Sequence, residues 1–313
     1  MYRNKKISVA MPAYNEEKLI EKAIKSIPDF VDKLIVVDDD SKDNTFSIAK
    51  KYEGKRVTVI KHTKNQGVGG AIITGFKEAL KEKADIAVVM AGDAQMDPND
   101  LPNILDPIVN NVVDCTKGNR FLHPEIYKKM PKFRLFGNRI LTILTKISSG
   151  YYHISDPQNG YVAVSRNVLE TIDWGMVDKR FSFENDMLIH LNVNNFSVKN
   201  IKTNPIYGEE KSKIKIHSFA LKLSFLLIKK FFWRIKEKYF VRDFHPTFIF
   251  FIAGFIMLFF GLIWSLLVLR ARFITPDITC GSVVLSALLL ICGSQSIFTG
   301  FILDMYESKT LKT

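Results

Sequence analysis

The sequence predicts an α/β domain on a mostly parallel sheet, then a basic amphipathic helix, then two transmembrane helices. Three observations predict this order. Over residues 7–109 short apolar runs alternate with helix-period segments, the pattern of strands covered by helices. From residue 246 onward, two uncharged apolar stretches each exceed the roughly 20 residues that a spanning helix needs. Between these parts, residues 216–243 set lysines against an apolar face, as in a helix that lies on a lipid surface.

The α/β elements follow in order. ISVAMPA (7–13) is a strand and precedes a helix near 16–27. KLIVVDDD (33–40) precedes one near 43–52, and VTVIKH (57–62) precedes one near 69–82. DIAVVMAGD (85–93) is the fourth strand, with a helix near 100–109, and YVAVS (161–165) is strand-like. Open sheets of this type collect ligands beyond the carboxyl ends of their strands. The segments found there are PAYNEE, DDDS, NQGVGG and GDAQ. A dinucleotide fingerprint would put its glycines after the first strand. Here Gly67, Gly69 and Gly70 follow the third, so that reading is weak. They are open to two explanations: close approach of a ligand at a helix N-terminus, or a plain turn into the helix.

Residues 246–269 and 278–303 are the two predicted spans, joined by the short RARFITPD. Ten basic residues from Lys211 to Arg242 flank the first span, and the positive-inside rule puts that flank, the α/β domain and both termini in the cytoplasm. At helical spacing Leu221, Phe225, Ile228, Phe232, Ile235 and Tyr239 fall on one face, with Lys222, Lys229, Lys230 and Lys236 largely opposite. Small residues such as Gly254, Gly261, Gly281 and Gly293 permit close packing of the spans or an oligomer.

Composition narrows the class. The chain has 313 residues and a formal charge of +12, which points to an anionic partner. The cations concentrate beside the spans and no nucleic-acid motif occurs, so nucleic acid is not the expected partner. Cys115, Cys280 and Cys292 are scattered and odd in number, without metal-ligand spacing or a disulfide framework. The N-terminal MYRNKKISVAMPAYNEE lacks the apolar core of a signal peptide.

PAYNEE, VVDDDSKDNT, NQGVGGAIITGF, the GDAQ strand end, GNRF and DPQNGYVAVSR, in that order, resemble the inverting family-2 glycosyltransferases with a GT-A fold. Within them the chain is most similar to membrane-anchored polyprenyl-phosphate sugar synthases, typified by dolichol-phosphate mannose synthase. The resemblance covers about residues 5–215 and implies a glycosyltransferase domain over 1–215. The implied reaction moves one sugar, with inversion, from a nucleotide sugar (GDP-mannose or a UDP-hexose) to polyprenyl phosphate at the cytoplasmic face. The QxxRW motif of processive synthases is missing.

The resemblance also implies roles. Asp93, Arg120 and Arg134 are the expected catalytic set, a divalent metal (Mg2+ or Mn2+) and cations being needed on the departing diphosphate. Pro12, Tyr14, Glu16, Val37, Asp39, Gly67, Gly92 and Asp93 match nucleotide-sugar positions. Asp93 and Gln95 are the expected metal ligands, on the premise that an extended segment points both the same way. The family usually has a second acid where this chain has Ala91, which raises a rival reading as a silent nucleotide-sugar-binding subunit. Asp156, Gln158, Asn159, Glu184, Asp186, Lys211 and Lys213 are expected on the sugar and acceptor side. A phosphate monoester, with a second pKa of about 6, is already a nucleophile. Glu184 or Asp186 is therefore expected to position groups rather than to abstract a proton. Another lipid or glycan acceptor is the alternative enzyme reading.

Overall fold

The computed structural model describes residues 1–122, 132–180, 182–204, 216–274 and 279–311, with side chains 132–136, 138 and 216–222 outside that description. It divides into two units, Met1–Phe231 with Thr310–Thr313, and Phe232–Lys309.

The first unit holds seven strands: β1 (Ile7–Ala13), β2 (Lys33–Asp38), β3 (Val57–Lys61), β4 (Ile86–Val89), β5 (Cys115–Asn119), β6 (Val162–Ser165) and β7 (Val198–Lys202). Their order in the sheet is β3-β2-β1-β4-β6-β5-β7. β6 pairs antiparallel with both β4 and β5, and every other pairing is parallel. The carboxyl ends of the six parallel strands therefore share one edge with the start of β6. The helices of this unit are α1 (Ile20–Ser26), α2 (Thr45–Lys50), α3 (Val68–Lys81), α4 (Leu101–Val109), α5 (Lys132–Ser149), α6 (Arg166–Thr171) and α7 (Phe183–Val193).

Strand alternation sends successive side chains to opposite faces, and both faces are buried. Ala10, Ile35, Val37, Ala87 and Val89 pack with α3 and α7 residues such as Phe76, Phe183 and Met187. Val9, Met11, Leu34, Val36 and Val88 pack with Ile20 and Ile24 of α1 and Leu101, Ile104 and Leu105 of α4. That two-sided burial explains the continuous apolar runs in the central strands. β5 and β7 read poorly from sequence. CTKGN and VKNIK carry lysine and asparagine, yet Lys117 is wholly buried.

α8 (Ile216–Lys236) begins in the first unit and runs into a π-helical turn, Glu237–Arg242. Its expected single apolar face is divided. Phe225, Ile228 and Phe232 are exposed (73%, 53% and 50%), whereas Ile235 and Tyr239 are buried. Nor are all the flanking cations a solvated face. Lys229, Lys236 and Arg242 are exposed, but Arg234 and Lys238 are buried and Lys230 is only partly exposed.

The second unit continues as α9 (Pro246–Ile274) and α10 (Cys280–Thr310), 29 and 31 residues long and each apolar enough to cross a membrane. Each extends the predicted span by several residues at its carboxyl end. Gly254 and Gly293 serve the packing of this pair. A Cβ at Gly254 would meet the Gly293 carbonyl at 2.9 Å, and one at Gly293 would meet the Leu258 amide at 2.9 Å. Beyond the apolar part of α10, Arg234 donates to Asp304 from both terminal nitrogens at 2.7 and 2.8 Å, and the Tyr239 hydroxyl donates to the same carboxylate at 2.6 Å.

Candidate functional site

The carboxyl edge gathers most of the predicted residues. The loops after β1 and β2 are laced together: the Asn15 amide donates to Ser41 Oγ at 2.9 Å, Lys42 N to Asn15 Oδ1 at 2.8 Å, and Glu16 N to Thr45 Oγ1 at 2.7 Å. Asn15 and Asp40 both adopt positive φ, at 58° and 63°, where asparagine and aspartate are favoured over bulkier residues. This lacing leaves Tyr14 half exposed at the rim, with Glu16 partly buried beside it. Pro12 and Val37 are buried beneath, on neighbouring strands in direct register.

Asp39 is buried, and its carboxylate is used by the protein. The amides of Gln66 and Gly67 donate to it at 2.8 and 2.7 Å, and His62 Nδ1 lies 2.7 Å from Oδ1. Asp39 thus holds the turn into α3. Gly67 has φ +92°, and a Cβ there would sit 2.6 Å from the Lys179 carbonyl. At Gly69 a Cβ would be 2.7 Å from Phe183 Cβ, and the Gly70 amide donates to Lys179 at 2.9 Å. Gly67 and Gly69 therefore admit the protein's own residues 178–180 and Phe183, which supplies a packing reason for them at the turn into α3.

The segment after β4 is a turn, not a continued strand. The Gly92 amide donates to the Pro12 carbonyl at 3.0 Å, and a Cβ at Gly92 would crowd Ile20, Ala13 and Pro12. Ala94 has φ 54° and the Gln95 amide donates to Asp93 Oδ1 at 3.0 Å. The premise that Asp93 and Gln95 point the same way from an extended segment fails, because a left-handed residue lies between them. Both still lie in the turn that ends this strand, Asp93 partly exposed and Gln95 exposed.

Arg120, expected at phosphate, grips a predicted acceptor-side residue. Its Nε and Nη2 donate to the two oxygens of buried Asp156 at 2.8 and 3.0 Å. Lys117, which sequence reasoning missed, lies below and donates to the Asn159 carbonyl at 2.6 Å. Burial holds its ammonium below the ordinary lysine range, against the pull of Glu184 and Asp156. Burial likewise pushes the Glu184 carboxyl up, with Lys117 opposing. The only sequence signal for Lys117 was its position between strand residues Thr116 and Gly118, one before the GNRF motif. Asn159 Oδ1 accepts from the Tyr161 amide at 3.1 Å, and the buried Gln158 side-chain nitrogen has no partner among the described residues.

Glu184 and Asp186 separate, since residues two apart on a helix point to different faces. Glu184 lies toward Gly160 and Lys117, its Oε1 3.7 Å from where a Gly160 Cβ would stand. Asp186 is fully buried on another side, accepting from the Asp178 amide at 2.8 Å and from Lys230 at 2.9 Å. Arg134 falls within α5 with its side chain outside the described residues, as are Lys211 and Lys213 altogether.

Among the described residues no group of three or more histidine, cysteine, aspartate or glutamate side chains forms a metal cluster. With alanine at 91, the strand end offers a carboxylate from Asp93 and an amide oxygen from Gln95. The Asp93 carboxylate by itself fits a hard cation that takes most of its shell from diphosphate oxygens and water, as magnesium commonly does, with Gln95 as a further oxygen only if its side chain turns toward the same ion.

Residues 8–173 match the family model described as Glycosyl transferase family 2. A UDP-N-acetylglucosamine–dolichyl-phosphate N-acetylglucosaminyltransferase of Methanococcus voltae is 33% identical over 247 residues, 74% of this chain and 95% of that protein. A dolichol-phosphate mannosyltransferase of Pyrococcus furiosus is 32% identical over 54% of this chain and 48% of its own length. In fold, the chain is similar to glucosyl-3-phosphoglycerate synthase of Mycobacterium tuberculosis, solved with Mn2+ and UDP: TM-score 0.55 at 20% identity, covering 74% of this chain and 80% of the other.

Proposed function

The chain belongs to glycosyl transferase family 2, and from that membership we propose that it transfers one sugar, with inversion, from a nucleotide sugar to polyprenyl phosphate at the cytoplasmic face of a membrane. It is a glycosyltransferase with a GT-A-like α/β domain, and its relatives act by name on dolichyl or polyprenyl phosphates. The observation that carries the proposal is a chain order: a strand-edge site with Asp93 in its rim is followed by two helices of membrane-crossing length and hydropathy. The exposed Phe225, Ile228 and Phe232 of α8, bordered by Lys229 and Lys236, suit an anionic lipid surface.

In this reading a phosphate oxygen of the lipid attacks the anomeric carbon, and the bond to the nucleoside diphosphate breaks with its electron pair leaving on the diphosphate. Tyr14 covers the base and Glu16 accepts from the nucleotide. Asp93 and Gln95 would hold a divalent metal, which neutralises charge on the leaving diphosphate. Arg120, oriented by Asp156, would meet phosphate, joined by Arg134, Lys211 and Lys213. Glu184 and Asn159 face the sugar and acceptor and abstract no proton, because the lipid phosphate is already anionic.

UDP-N-acetylglucosamine is the first donor to test, since the Methanococcus voltae relative that names it matches over nearly its whole length. Purified full-length protein with polyprenyl phosphate and Mn2+ would be given labelled UDP-N-acetylglucosamine, UDP-glucose and GDP-mannose separately. Label entering the lipid phase from one donor, and lost in Asp93→Ala, is the expected result. Donor binding without transfer to lipid phosphate from any of them would overturn the proposal.

A further inference from the structure

We infer that Lys230 is a positioning residue for the nucleotide site, acting through Asp186 on the segment that closes over the turn into α3. The inference rests on the donor-site reading above. Lys230 stands on α8, one side of which is exposed and apolar. From the other side its Nζ reaches the Asp186 carboxylate on α7, 2.8 Å from Oδ1 and 2.9 Å from Oδ2. His190, one turn further along α7, places Nε2 3.2 Å from the same ammonium, and Lys230 also donates to the Met176 carbonyl at 3.4 Å.

Asp186 passes this anchorage on. Its Oδ2 accepts the Asp178 amide at 2.8 Å. Asp178 begins the segment whose next carbonyl, Lys179, accepts from the Gly70 amide at 2.9 Å. That segment is pressed against Gly67 and Gly69 so closely that neither position has room for a Cβ. Gln66 and Gly67 in turn hold Asp39 through their amides. Every step is a direct contact, from a cation on α8 to a carboxylate at the end of β2. The same α7 carries Glu184 two residues before Asp186, toward Lys117.

A buried carboxylate needs a partner, and removing that partner is far more disruptive than losing a surface pair. Taking away Lys230 leaves the buried Asp186 carboxylate without the cation that orients it, with His190 Nε2 3.8 Å from Oδ1 as its remaining neighbour. The carboxylate then shifts, and its hold on the Asp178 amide and on the Asp178–Arg180 segment loosens. The helix that presents Phe225 and Ile228 outward therefore also sets the fit of the nucleotide loops.

The test measures binding of UDP and of GDP, each with Mn2+, to the full-length wild type and to Lys230→Met, Lys230→Arg and Asp186→Asn, alongside donor turnover. Lys230→Met is expected to weaken nucleotide binding at least about ten-fold, with the loss in donor KM and kcat held within about three-fold. Lys230→Arg keeps the charge and should stay within about three-fold of wild type, a rescue that a packing role alone would not require. Asp186→Asn should fall between them and speed hydrogen exchange at the Asp178 and Gly70 amides. Wild-type affinity in Lys230→Met overturns the inference. Should that variant not fold, wild-type affinity and exchange in Asp186→Asn overturns it. A wild type that binds neither nucleotide overturns the donor-site reading instead.

Discussion

Arg120 and Asp156 form a two-pronged ion pair between the end of β5 and the loop before β6. The guanidinium donates from Nε and Nη2 at 2.8 and 3.0 Å, and the Arg120 amide adds a third bond to Oδ2 at 3.1 Å. The carboxylate is fully buried and the arginine only partly so. The direction of the guanidinium is thus fixed by the protein, and on the proposed function this is the kind of preorganisation that favours charge stabilisation in a transition state.

Breaking the pair from either end should give different results. Arg120→Ala leaves a buried carboxylate without its cation and should cost about 3 kcal/mol. Asp156→Asn keeps an oxygen for the Arg120 amide and should cost about 1 kcal/mol. Denaturant midpoints of the two variants measure the difference. Equal midpoints would show that the pair does not hold this loop.

Alanine at position 91 should be legible in metal dependence. Ala91→Asp adds a second strand-end carboxylate beside Asp93, so half-maximal activity should need at least about ten-fold less Mn2+. A titration of transfer rate against metal concentration reads this directly. An unchanged titration would mean that position 91 does not face the metal.

The glycine turn makes a structural prediction. Gly67→Ala must place a Cβ 2.6 Å from the Lys179 carbonyl at φ +92°. It should destabilise the fold by about 2 kcal/mol. Gly54→Ala, where nothing lies within 4 Å, is the control and should be nearly silent. Thermal midpoints in detergent compare them.

Glu184 should write a pH dependence into stability. Burial raises its folded carboxyl above the ordinary value of about 4.3. The folded state then keeps a proton that the unfolded chain has released. The associated stability is full below about pH 4.3 and is lost as pH rises through the folded value. Glu184→Gln removes this titration, so its stability relative to wild type should grow from pH 4 toward neutrality. Urea midpoints across that range check the sign; a constant difference would contradict it.

Much of the architecture was legible in the sequence because its signals are local. ISVAMPA coincides with β1, and the runs at 33–40 and 57–62 contain β2 and β3. Both apolar stretches near the C-terminus are single helices. The strand-end motifs fall along one edge, as the parallel order requires. β5 was not legible, since its buried lysine contradicts the usual strand pattern. Its place depends on charges brought from α7 and the 156–159 loop, far away in the chain.

The sequence by itself determined the α/β order, the motif positions and the two apolar helices, because periodicity and run length are properties of neighbouring residues. Only the tertiary structure decided which charges meet. Asp39 turned inward to hold Gln66 and Gly67, Arg120 was claimed by Asp156, Glu184 parted from Asp186, and Lys230 became the partner of a buried carboxylate. The physical reason is desolvation. A charge taken from water must find an opposite charge or a hydrogen-bond partner wherever the chain brings one, and that choice is made across elements distant in sequence.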